Sequence, residues 1–334
     1  MGDDEGQQSE TSLLGELLEM GHAIRPLLRR LPTAMKAIDK LTGGLTSAGV
    51  KALAARLNRY RTGNLIQEAQ QVADATGLPL PEVFDRLVRQ RRIDELTVEA
   101  LRRVSESAEA QSEAENADTA GAERQSTTDR WFHTLYAEAG AVDEEDVREA
   151  FVRILAGEMQ APGSFSLRSL RVMGAVSRST AQRFRRAASV SIRLTPDGTH
   201  IMDARIPAIG GELGQNCLQS EGLSYDVLTD LTENGFIHSD YGSYHPYGPL
   251  ELPFDAPQSV PPFVQIPFTH QGTTWVLIPK EKPNKVQPFN VQGAKLTSCG
   301  VELLKIVDIE SLPSFTEKLV GHFSQSGYQM VRST

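Results

Sequence analysis

The sequence predicts a mainly α protein, with helical N-terminal and central blocks and a C-terminal winged-helix-like α+β domain. Three observations carry that prediction. Apolar residues recur at helical spacing through the first half of the chain. An acidic segment almost without large apolar residues, 105–128, interrupts them. After Thr195 the texture changes to helices alternating with short β-type runs. The chain then divides into a helical region 1–104, an acidic linker 105–128, a helical block 129–194 and an α+β domain 195–334. Its 334 residues suit two or three cores better than one.

In the first region, Thr11 or Ser12 can cap "LLGELLEMGHAIRPLLRRL", whose leucines and isoleucine make one apolar face that Pro26 should kink. "LTGGLTSAGVKALAARLNRY" leads from glycines into a basic helix, and "LIQEAQQVADATG" is a helix that Gly77 ends. Pro81 sits near the first position of the next helix, where its missing amide costs nothing. The linker carries six acids and one arginine.

In the central block, "DRWFHTLYAEAG" opens a helix, and Asp143 is a candidate N-cap for "EEDVREAFVRILAGEM". Pro162-Gly163 form a turn, Ser166 caps "LRSLRVMGAV", and Phe165 can staple onto Leu170. A capping box from Ser179 to Gln182 starts a third helix. In the last domain Ser224 caps a helix that Asn234-Gly235 stop, and 239–262 reads as a long loop rich in Pro, Gly and Tyr. "FVQIPFTHQGTTWVLIPK" alternates about His270-Gln271-Gly272 as a β-hairpin. Thr297 caps "KLTSCGVELLKIV", and a box from Ser314 to Glu317 starts the last helix. Helix, helix, strand, hairpin and helix in that order fit a winged helix.

The net charge of −9 repels nucleic acid and anionic membrane, so binding to either needs a local basic patch. One exists in the sequence: 161–193 holds seven arginines and no acid. Guanidinium forks bind phosphate or carboxylate bidentately, which makes Arg168, Arg171, Arg183, Arg185 and Arg186 candidates for an anion or acidic-partner surface. The opposing reading is a solvated face, or one paired with the chain's own acids. Tyr241, Tyr244 and Tyr247 form a second candidate contact surface, an aromatic loop. The candidate DNA-reading helix "YDVLTDLTE" has three acids and no base, the wrong sign for phosphate.

No catalytic constellation emerges. Cys217 and Cys299 have no metal-ligand spacing, and their separation suits a reducing cytoplasm. His238 and His245 stand in a Pro/Gly loop, poor support for a metal. No metal or cofactor is expected. The acidic, polar start is no secretory signal, and no run of about 18 apolar residues exists to span a bilayer. The glycine-led basic helix lacks the Trp or Phe anchors of an interfacial one, which argues against peripheral membrane contact.

"FVRILAGEMQAPGSFSLRSLRVMGAVSRSTAQRF" resembles the central signature of the uncharacterised bacterial domain-of-unknown-function 2806 family, through Ile154 to Glu158, Pro162 to Arg168 and Phe184. Leu296, Thr297, Gly300, Glu302 and Leu303 resemble that family's LTxxGxEL element. The resemblance covers most of 129–330 and implies no catalytic or binding residue. Its layout is similar to that of abortive-infection proteins of the alpha type, which implies antiphage defence by analogy alone. The expectation is a non-enzymatic, cytoplasmic bacterial interaction protein in defence or stress, acting through a protein partner or self-association. The alternative is a winged-helix transcriptional regulator contacting nucleic acid through the 168–193 arginines.

Overall fold

The computed structural model describes residues 53, 55–60, 63–112, 128–196, 200–248, 250–251, 263–280 and 289–333. The helices expected over 11–31 and the glycine-led segment before Leu53 lie outside the described residues, as do 113–127 and 252–262. The chain divides into two compact units, Met1–Ala175 and Val176–Thr334. That boundary falls inside the block that the sequence delimits as 129–194.

The first unit is helical: α1 (Leu65–Thr76), α2 (Leu80–Ser112), α3 (Asp129–Ala141), α4 (Glu145–Gln160) and α5 (Leu167–Ala175). Asn64 caps α1, and Gly77 ends it at φ 72°, a left-handed conformation that glycine adopts without a Cβ penalty. The long α2 continues to Ser112, well into the acidic segment. It packs on α3 and α4, the helices that follow that segment. Arg92 pairs with Asp143, Arg148 with Glu95 and Arg103 with Glu149, so charge as well as apolar surface joins the two halves. Asp143 is thus an ion-pair partner and not the N-cap; Glu144 holds that position without a side-chain bond. A buried carboxylate, Asp94, accepts from Arg56 and Tyr60 and ties residues 55–60 to α2.

The second unit contains α6 (Arg178–Val190), α7 (Tyr225–Glu233), α8 (Ser298–Leu303) and α9 (Pro313–Gln325). Its strands are β1 (Ile192–Leu194), β2 (Asp203–Pro207), β3 (Tyr244–Tyr247), β4 (Leu250–Glu251), β5 (Phe263–Val264), β6 (Phe268–His270), β7 (Thr273–Pro279), β8 (Phe289–Lys295) and β9 (Tyr328–Arg332). Seven of them form one antiparallel sheet in the order β3-β8-β2-β1-β6-β7-β9, while β4 and β5 pair separately. The sheet is broader than the two-stranded wing that the winged-helix expectation calls for. The expected hairpin is present as β6–β7, turning at Gln271 (φ 48°) and Gly272 (φ 74°), but it is part of a broad sheet and not a two-stranded wing. Part of the expected 239–262 loop is a strand, β3, at one end of that sheet.

The sheet curls strongly. The Phe289 ring of β8 lies 5.4 Å from that of Tyr328 on β9, although five strand positions separate β8 from β9. One face encloses an apolar core of Ile192, Leu194, Tyr247, Phe268, Leu277 and Val291, closed by Leu319 and Phe323 of α9. Strand alternation puts Ala204, Ile206 and Ala294 on the other face, where they too are buried. Helix α6 starts at Arg178 under an N-cap from Ser177, two residues before the expected Ser179, because the Ser177 hydroxyl accepts from Thr180 N. Helix α9 starts with Pro313 at its first turn and no side-chain cap, so the Ser314 box is not its start.

Candidate functional site

The two sequence elements that resemble the family are structural joints. In the first, α4 ends against the turn before α5. The buried Glu158 carboxylate accepts from Gly163 N (2.7 Å) and Phe165 N (3.1 Å), while Trp131 Nε1 donates to Phe165 O (2.8 Å). Gly157 leaves room for the Phe165 ring, since a Cβ there would lie 2.9 Å from Phe165 Cε2. Ser166 then caps α5 through Ser169 N (3.3 Å). In the second element the Thr297 hydroxyl caps α8 through Gly300 N (3.1 Å) and donates to Gly235 O (2.6 Å). Gly300 packs against the Phe236 carbonyl with no space for a Cβ. Phe184 stacks on Phe236 at 4.4 Å. These residues satisfy buried polar groups and permit close packing.

The arginine surface divides. Arg183 pairs with Asp230 (3.0 Å) and Arg185 with Glu310 (3.3 Å). Arg186 reaches Glu310 (3.3 Å) and the buried Glu221 (3.5 Å), which also accepts from Lys318 Nζ (2.6 Å). Three of the five candidates are therefore neutralised by carboxylates of their own unit, and the expected uncompensated surface is corrected to an internal network tying α6 to residues 221 and 310. The acids that do this come from segments 35 to 125 residues away in sequence, which local charge counting does not register. Arg168 and Arg171, one turn apart on α5, are exposed and have no ion pair among the described residues.

The tyrosine surface is also redistributed. Tyr247 is wholly buried and donates from its hydroxyl to Asp203 Oδ2 (3.0 Å), so it belongs to the core and not to an interface. Asp203 receives Arg205 Nε (2.6 Å) and Nη2 (2.9 Å), and Arg205 Nη1 donates to Ser243 O and Val291 O. Burial pushes the Asp203 carboxyl up, but the hydrogen bonds and charge of Arg205 outweigh it and hold that carboxyl below its usual range. The sequence reasoning missed this pair. Its signal was opposite charges two apart in "DARIP", which on a strand share one face.

Tyr244 stays exposed (68%), as does Tyr225 (48%), a residue not singled out from the sequence. Tyr241 lies between solvent and α7: its hydroxyl meets Thr232 Oγ1 (2.9 Å) and its ring stands edge-on to Tyr225 at 6.1 Å. Asp226, Glu233 and Asp240 are exposed around these rings.

One buried histidine braces the hairpin. His270 Nδ1 lies 3.2 Å from Ser191 O and so carries the proton, leaving Nε2 to accept from Thr316 Oγ1 at 3.1 Å. Burial lowers its pKa from the ordinary 6.5. The unfolded chain therefore takes up the proton first, and stability present above about pH 6.5 falls as pH drops toward the folded value. Thermal unfolding midpoints of wild type should fall between pH 7 and pH 5. A His270→Gln variant, less stable at pH 7, should show a shallower fall; an unchanged slope would assign the effect to the half-buried His322, whose pKa burial also lowers.

Among the described residues no group of three or more His, Cys, Asp or Glu gathers as metal ligands would, and no helix is long and apolar enough to cross a membrane. No curated protein and no solved structure matches the chain. A family model described as "Protein of unknown function (DUF2806)" matches residues 85–320, which span the helices from α2 onward and most of the second unit. That match extends over well more than half of the chain, so the protein belongs to the DUF2806 family.

Proposed function

We propose that this is a non-catalytic interaction protein that binds a protein partner through the tyrosine surface of its second unit. The observation that carries the reading is the exposure of Tyr225 and Tyr244 beside the anchored Tyr241. Tyrosine supplies a large, stiff, amphipathic contact area with little side-chain entropy to lose, and aromatic residues dominate the energetics of protein interfaces. Arg168 and Arg171 on the first unit offer a separate cationic contact. A role in bacterial antiphage defence or stress, in the cytoplasm, is part of the proposal, by analogy alone with the layout of abortive-infection proteins of the alpha type.

The rival, a winged-helix DNA-binding regulator, has less support. Helix α7 carries Asp226, Asp230 and Glu233, and the arginines of α6 are paired with acids. The test is affinity purification from infected and uninfected cells after nuclease treatment, comparing wild type with Tyr225→Ser/Tyr244→Ser. A defined protein that is retained by wild type and lost with the double variant, at an unchanged melting temperature, is the expected result. Retention of the same protein by the variant, or a complex that nuclease abolishes, overturns the reading.

A further inference from the structure

The charge around the tyrosines specifies more than a generic contact. Helix α7 buries Leu228 and Leu231 and turns Asp226, Thr229 and Glu233 to solvent. Tyr225 and Thr232 border that outward face, and Tyr241 packs along them. Asp240 stands at the start of the 240–242 turn, where its Oδ1 accepts from Gly242 N (3.1 Å). That turn lies beside Gln292, whose cross-strand partner on β3 is Tyr244. Asp226, Glu233 and Asp240 have no ion pair among the described residues, whereas the fourth acid of this region, Asp230, is matched by Arg183. The exposed His238, two residues before Asp240, donates its backbone N–H to Lys295 O, which brings one exposed lysine near this turn.

We infer that the tyrosine surface receives an arginine-rich segment of its partner, an inference that rests on the interaction reading above. The faces of Tyr225 and Tyr244 carry the negative lobe of the ring quadrupole and attract a cation laid over them. The neighbouring carboxylates accept the guanidinium fork through paired N–H···O bonds, which an ammonium cannot make. A surface of exposed phenol rings ringed by unmatched acids is poorly suited to a phosphate-bearing ligand, since like charges oppose its approach.

The probes are two fluorescein-labelled peptides, one of alternating arginine and glycine and one of alternating lysine and glycine, titrated by fluorescence anisotropy into the full chain. Wild type should bind the arginine peptide more tightly than the lysine peptide. Tyr225→Ser/Tyr244→Ser and Asp226→Asn/Glu233→Gln/Asp240→Asn should each weaken the arginine peptide about tenfold. A control removing three exposed acids elsewhere, Asp74→Asn/Glu144→Gln/Glu317→Gln, should leave its binding within about twofold. Equal weakening by the control and by the Asp226/Glu233/Asp240 variant would reduce the binding to net charge and overturn the inference, as would absence of binding or equal affinity for the two peptides. Those outcomes leave the interaction reading to its own test, because loss of a co-purifying protein with the tyrosine variant does not depend on that protein being basic.

Discussion

Asp203→Ala is expected to destabilise the second unit by about 3–5 kcal/mol, because it leaves the buried Arg205 guanidinium without its counter-charge. Arg205 cannot relieve the loss by turning to water: its fork is held between Asp203 and the carbonyls of Ser243 and Val291, inside the curled sheet. Tyr247 would lose its acceptor at the same time. Urea unfolding, followed by the fluorescence of Trp275 in this core, reads the change. The paired variant Asp203→Leu/Arg205→Met should recover most of the stability, since a buried ion pair contributes little net free energy against well-packed apolar residues of similar volume. A loss below about 1 kcal/mol in the single variant would show that Arg205 finds another acid or solvent.

Glu158→Ala should cost about 3 kcal/mol or more in the first unit, since two backbone donors lose a charged acceptor. The joint between α4 and α5 depends on that carboxylate, so the loss should loosen Phe165 and the Trp131 indole bonded to its carbonyl. Trp131 emission shifting to the red in Glu158→Ala, with Glu158→Gln intermediate, is the expected signature. An unshifted spectrum at wild-type stability would mean that the turn is held by packing alone.

The local devices of the chain were legible because their causes are local. Ser224, Thr297 and Ser166 act as caps, Gly77 stops α1, and Gln271-Gly272 turn the hairpin, each through bonds or dihedrals within a few residues. The misplaced starts show the limit of that logic. Ser177 and Ser179 are both good caps by chemistry, and Ser177 takes the position. Asp143 also has cap chemistry, but Arg92 from α2 engages it. The candidate surfaces were half legible. Tyr244 and Tyr241 were found by composition, Tyr225 was hidden in the first turn of a helix, and Tyr247, three residues on from Tyr244, points to the opposite face of the strand and is buried.

What the amino-acid order determined alone was the change from helices to helices mixed with strands, the turns, caps such as Ser166, Ser224 and Thr297, and a stretch of seven arginines without acids. What only the tertiary structure decided was which charges meet. Chain closure brings Asp230, Glu221 and Glu310 onto α6 and matches three arginines with carboxylates, while Asp226, Glu233 and Asp240 are left without a matching cation among the described residues. Coulomb interactions act through space over a few ångströms, and contacts between distant segments set those separations.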